Sequence, residues 1–223
     1  MPVYGDPDAG AIAPSDCCLY VTKNLAGAGP LTTSFTLQRY TIKTTTGELA
    51  FAEEQRTQGA NPDAVAVTPQ GDYVFVANFS GGASSTYAGG NVMTFRANPS
   101  TGAMTPVGLV QTGVAPVSLE VDPSGTWLFV AHSSRDGVAM YAIDHRTGQL
   151  ALADRRGSYA AALAVHPDDK ALYVTYWDDK TLGAHTIDHS TGKLVLRQTV
   201  RDTGGAPNPQ DKSASASPQG WSD

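Results

Sequence analysis

The chain has 223 residues and a formal net charge of −6, long enough for a sizeable core and, lacking any basic block, unsuited to a phosphate backbone whose binding rests on clustered Lys and Arg. Hydrophobic residues make up 41% and charged residues 16%, while 23 Gly and 14 Pro point to many short strands joined by tight turns. No stretch approaches the roughly 18 apolar residues of a membrane helix, and Met1–Asp16 carries neither a basic region nor a long apolar run, so the chain taken as whole reads as soluble and cytoplasmic, with an extracytoplasmic location open only if residues precede it.

Two short signatures recur along the chain. Thr-Gly followed by x-Leu or x-Met occurs at Thr46-Gly47, Thr101-Gly102, Thr147-Gly148 and Thr191-Gly192, at spacings of 55, 46 and 44 residues. A Pro-x-Gly-like turn ahead of an apolar run occurs at Pro14, Pro69, Pro123, Pro167 and Pro218, at spacings of 55, 54, 44 and 51. Around that proline DAGAIAPSDCCLYVTKN, from Asp8, overlays DAVAVTPQGDYVFVANF, from Asp63, without gaps. SLEVDPSGTWLFVAHS, from Ser118, and ALAVHPDDKALYVTYW, from Ala162, repeat the theme.

Each unit reads as four strands, which for the second unit are Ala64–Val67, Tyr73–Asn78, Asn91–Ala97 and Met104–Gln111. Runs such as YVFVAN, WLFVAH and ALYVTY are mostly apolar and rich in Val, Tyr, Phe and Trp, so both faces should be buried. Four strands every 40 to 55 residues predict an all-β chain of four-stranded antiparallel β-propeller blades. The blades are expected at about 6–58, 59–113, 114–158 and 159–203. Residues 204–223 read either as the start of a fifth blade, because SASASPQGW overlays VAVTPQGDY, or as a disordered Ser/Ala/Pro tail. Four blades and a stub close as a small ring or stay an open stack, and an open stack is expected to self-associate through its exposed edges.

The adjacent Cys17 and Cys18 are the only cysteines; they read as strand-start packing, or else as a vicinal disulfide or reactive thiol. His145 and His189 sit in equivalent DHxTG turns, and His166 beside the turn proline, which marks them as scaffold. His185 reads as a partly exposed strand residue. His132 ends a second strand ahead of SSRDG, so with Arg135 and Asp136 it is a candidate rim site, loop hydrogen bonding being the other reading. Glu120 stands in an innermost strand where other units have Ala66 and Ala164; an unpaired carboxylate there would be costly, so it should meet a partner, water or an ion. Asp8 and Asp63, at equivalent places, point at a channel mouth or cap a turn. FSGGASSTYAGG, Phe79 to Gly90, is an insertion that could lid a channel. Asn78-Phe79-Ser80 matches the glycosylation acceptor pattern. No Walker A loop, G-x-S-x-G elbow, H-E-x-x-H or EF-hand loop occurs, and no cofactor or metal is expected.

NPDAVAVTPQGDYVFVANFSGG and APVSLEVDPSGTWLFVAHSSRDGVAMYAIDHRTGQL resemble the lactonase family of seven-bladed propellers, which includes 6-phosphogluconolactonases and carboxymuconate cyclases; the blade-forming residues are shared with YVTN-type repeat propellers. The resemblance implies hydrolysis or formation of a sugar-acid or muconate lactone without an obligatory metal, a small lactone or sugar-acid ligand, and no nucleic-acid or membrane partner. It also implies His and Arg at the starts of innermost strands, able to polarise a lactone carbonyl or activate water. Here those positions fall at Ala64, Val117 or Ser118, Ala161 and Ala162, and Ser215, none of which moves a proton. Glu120 and His132 are left as catalytic candidates, and Asp8, Asp63 and Arg135 as substrate-binding ones. A non-catalytic propeller that binds a ligand or partner is the alternative. A seven-bladed member needs about 330 residues at about 45 to 50 per blade.

Overall fold

The computed structural model describes residues 6–24, 35–80 and 89–201, and among them there are only strands and turns. Four antiparallel four-stranded sheets follow one another along the chain. The first holds β1 (Asp6–Ile12), β2 (Cys18–Asn24), β3 (Thr36–Lys43) and β4 (Glu48–Arg56). The second holds β5 (Ala60–Val67), β6 (Tyr73–Ser80), β7 (Asn91–Ala97) and β8 (Met104–Gln111). In the third are β9 (Pro116–Val121), β10 (Trp127–His132), β11 (Val138–Ile143) and β12 (Leu150–Arg156). The fourth comprises β13 (Ala160–Val165), β14 (Ala171–Tyr176), β15 (Thr181–Asp188) and β16 (Lys193–Arg201). Neighbour order within each sheet is chain order, the meander of a propeller blade. The first strands touch in the order β1, β5, β9, β13, and every extensive strand contact between sheets joins consecutive blades. The proposed fifth-blade strand lies outside the described residues.

The uninterrupted apolar runs have the predicted cause. Side chains alternate across a strand, so in β6 Tyr73, Phe75 and Ala77 meet Leu119, Leu128 and Val130 of the third blade, while Val74 and Val76 meet Cys18, Tyr20 and Leu37 of the first. In β10 Trp127, Phe129 and Ala131 pack on Leu172, Val174 and Ile187 of the fourth. Each fully buried Phe or Leu contributes roughly 1.5–3 kcal/mol relative to exposure, and blades between two neighbours collect that on both faces. On the outer strands, Phe51, Leu152 and Leu196 remain exposed.

Both signatures are backbone requirements. The third residue of each proline turn has positive φ: Asp16 at 55°, Gly71 at 72°, Gly125 at 76° and Asp169 at 65°, a conformation that Gly and Asp tolerate best. The Thr-Gly glycines likewise have φ of 65° to 75°, and their amides bond the carbonyl four residues back at 2.7–2.8 Å.

Where β5 was expected to begin at Ala64, it begins at Ala60. Pro62 interrupts the sequence pattern, but the innermost strand is a sheet edge on which a missing N–H is tolerated. The pairing resumes across an irregularity, with Pro62 opposite Asn78 and Ala64 opposite Ala77.

Candidate functional site

The same irregularity recurs at the start of every innermost strand. Register shifts fall between Pro7 and Gly10, Pro62 and Ala64, opposite Ala131/His132, and between Ala160 and Ala162. An extra residue is bulged at each: Asp63 in β5, Val117 in β9, Ala161 in β13, and the pair Asp8 and Ala9 in β1. Two positions earlier Asn61, Ala115 and Tyr159 have φ of 52°, 57° and 45°, left-handed conformations that cost non-glycine residues free energy and concentrate at functional sites. Bulges re-aim the side chain they carry. All four therefore define one end of the central axis, and the two carboxylates sit there on adjacent blades, within strands rather than as turn caps.

Burial raises the Asp63 carboxyl to about 6, with a further push from the Asp8 charge. Asp8 is more exposed and is raised less, by burial and then by Asp6; Asn24 donates its amide to Asp8. Asp63 immediately precedes Ala64, which resumes the pairing opposite Ala77.

Glu120 lies deeper on β9, opposite Phe129. Leu119 and Val121 face the second blade, so alternation turns Glu120 to the fourth-blade side. Burial alone raises its pKa, and among the described residues no side chain or amide donates a hydrogen bond to it.

His132 is fully buried. Its Nδ1–H donates to Gly137 O at 3.1 Å and its Nε2 accepts the Thr112 hydroxyl at 2.8 Å; Tyr141 in turn donates to Thr112 at 2.9 Å. Burial lowers this imidazole to about 4, so it is neutral at pH 7. Its backbone pairs with Pro116, directly behind the start of β9. The arginine that reaches this cluster is Arg155 of β12, which pairs with Asp136 at 3.0 Å and donates to Thr112 O at 3.3 Å, while Arg135 is exposed in the loop. Asp136 also accepts the Val114 amide at 2.6 Å, and these contacts hold its pKa down despite burial. Arg155 and Thr112 carry no local signal; the fold brings them together from 43 residues apart.

Trp177, also unmarked in the sequence, follows β14 at the same end and is 67% exposed, its amide bonded to Tyr159 O at 2.9 Å. The insertion after Phe79 falls largely outside the described residues. His185 corrects its expected exposure: it is buried, and its Nε2 shares a 2.8 Å hydrogen bond with the Tyr176 hydroxyl.

Asp122, Asp169 and His189 bring carboxylate and ring atoms within 4.8 Å of one another at the opposite end of the blades. There the Trp127 indole donates to His189 Nδ1 at 3.1 Å, and Nε2–H donates to Asp169 O at 2.6 Å. Both ring nitrogens are engaged, so the trio is a joint between the third and fourth blades. Burial and the neighbouring Asp122 raise Asp169 to about 6.

Residues 4–91 and 89–157 match the sequence profile described as Lactonase, 7-bladed beta-propeller, and the chain belongs to that family. No curated protein matches it. Among solved structures it is similar to a proposed 6-phosphogluconolactonase of Bacteroides uniformis, with a TM-score of 0.71 at 14% identity over 88% of this chain. A second, from Bacteroides fragilis, gives 0.70 at 17% identity over 88%. The periplasmic gluconolactonase of Pseudomonas aeruginosa gives 0.52 at 17% identity, covering 87% of this chain and 72% of that one. At these identities the likeness is one of fold. The chain spans 55% of the length of each Bacteroides protein.

Proposed function

We propose that the chain forms part of a lactonase-type propeller that binds a sugar-acid lactone at the inner-strand starts and hydrolyses it with Asp63 as general base. The observation that carries this reading is the carboxyl of Asp63 on a bulge at the axis, raised to about 6 beside Asp8. A base is most effective with a pKa near the working pH. Above pH 6 Asp63 takes a proton from water as the oxygen attacks the lactone carbonyl. The ring C–O bond then breaks, and the departing alkoxide receives the proton, giving the open hydroxy acid.

The other candidates take subordinate parts in the proposal. Glu120 offers a second carboxyl on the inner wall, and Asp8 maintains the basicity of Asp63. Arg135 meets the anionic group of a sugar acid from the rim, and Trp177 presents a ring face to its apolar surface. His132, sealed behind β9, acts as a positioning residue.

Opening of 6-phosphogluconolactone and of gluconolactone is measured against buffer. The proposal expects acceleration that Asp63→Asn reduces at least about 100-fold, the usual worth of a general base; a wild-type rate equal to buffer, or an undiminished variant, overturns it. The uncharged Val117, Ser118, Ala161 and Ala162 favour a second reading, a propeller that binds a sugar acid without turning it over. Calorimetric binding of gluconate without lactone opening would select that one.

A further inference from the structure

At the end of the blades opposite Asp63, Sγ of Cys17 and Sγ of Cys18 lie 2.7 Å apart, closer than two unbonded sulfurs ordinarily approach. Cys18 begins β2 and is fully buried, whereas Cys17 is half-buried in the turn before it. The Cys18 sulfur fills the space a side chain on Gly102 of the second blade would need. Around it Tyr20 donates to Gly102 O at 2.8 Å and Arg39 to Thr101 O at 2.9 Å. One thiol is therefore clamped in the seam between two blades, and its neighbour remains accessible beside it.

We propose that Cys17 and Cys18 form a reversible oxidation site that closes to a vicinal disulfide at the expense of a low-molecular-weight disulfide. The Cys17 thiolate attacks one sulfur of the small disulfide and expels the other half as a thiolate. The Cys18 sulfur, losing its proton, then attacks the Cys17 sulfur and expels the second half. Both protein protons end on the two small thiols, and two electrons pass to the small disulfide. The order follows from exposure: burial raises the Cys18 thiol to about 11, so Cys18 resolves rather than initiates. Adjacent Cα atoms stand about 3.8 Å apart across a trans peptide, short of the range of about 4.4–6.8 Å usual for a disulfide. The bond is consequently strained and easily reduced, as labile rather than structural disulfides are.

The reduced full chain is incubated with oxidised glutathione and read by mass spectrometry. The expected product has lost two hydrogens, retains no glutathione, no longer takes up iodoacetamide at either cysteine, and returns to starting mass with dithiothreitol. Cys18→Ser should hold one glutathione on Cys17, and Cys17→Ser should stay unmodified. Wild-type chain that retains glutathione, couples to a second chain, or keeps both thiols alkylatable overturns the proposal. The wild-type result decides the question without either variant, so a variant that folds poorly does not obscure it.

Discussion

The ring of Tyr73 occupies the space in which Gly148 would place a side chain: a Cβ there would overlap Cε1. The Tyr73 hydroxyl then donates to His145 O at 3.1 Å. The relationship repeats at each described seam. Cys18 meets Gly102, and Trp127 meets Gly192, where a Cβ would stand 2.8 Å from the indole. In the first three blades the residue four places after the turn proline thus docks on the Thr-Gly glycine of the following blade. Gly47, in the first blade, has nothing within 4 Å.

Gly148→Ala should therefore destabilise the chain by about 2–4 kcal/mol, through overpacking added to backbone strain. Gly47→Ala carries only the positive-φ cost of about 1 kcal/mol. Urea melts of both variants check the difference, and equal losses would show that glycine is kept at these turns for its backbone alone.

Acid should expose the sealed imidazole. His132 is held at about 4 against 6.5 for the free group, so the folded chain binds this proton less tightly than the unfolded one. The contribution is complete above 6.5 and is lost as pH falls to 4, on the order of 3 kcal/mol. His132→Gln should remove this part of the pH dependence. Subtracting the two stability curves between pH 7 and 4 reads it, and a flat difference counts against a neutral buried ring.

Asp63 has the opposite sign. Its folded carboxyl, raised to about 6 from 3.8, binds a proton more tightly than the unfolded chain does. Its stabilisation is complete below 3.8 and is lost as pH rises through 6. Asp63→Asn should thus be more stable than wild type at pH 7, on the order of 1 kcal/mol after allowance for solvent screening, while losing lactone opening. Gain of stability with loss of rate marks a site whose charge serves chemistry rather than folding.

Asn78 is buried, donating to Asn91 Oδ1 at 2.7 Å and to Thr57 O at 3.1 Å. The acceptor pattern it begins should carry no glycan when the chain is expressed in a secretory host, by intact-mass measurement. Asn78→Ala should cost about 1–3 kcal/mol, the usual cost of leaving buried polar partners unsatisfied.

Blade number, strand order and the two turn signatures were legible because they are local: Gly71 and Gly148 declare their positive φ, and YVFVAN declares two buried faces. Residues such as Glu120 and Asp63 could be singled out as charges among small or apolar neighbours. Their surroundings could not, since an extra residue at a bulge leaves no mark in an alignment that counts residues, and one place of shift separates inert Ala64 from titrating Asp63. Arg155 carried no local mark because its partner Asp136 lies across the same blade, 19 residues upstream.

By itself, then, the amino-acid sequence determined a row of four-stranded blades and the family they belong to, for periodic burial and turn conformation act within a few residues. Only the tertiary structure decided that the proline turns and Thr-Gly turns are two halves of one inter-blade joint, that His132 is sealed and neutral, and that Asp8 and Asp63 share an end of the axis. Those properties depend on how much water and which charges surround a group, and these are set by residues that meet only when consecutive blades pack face to face.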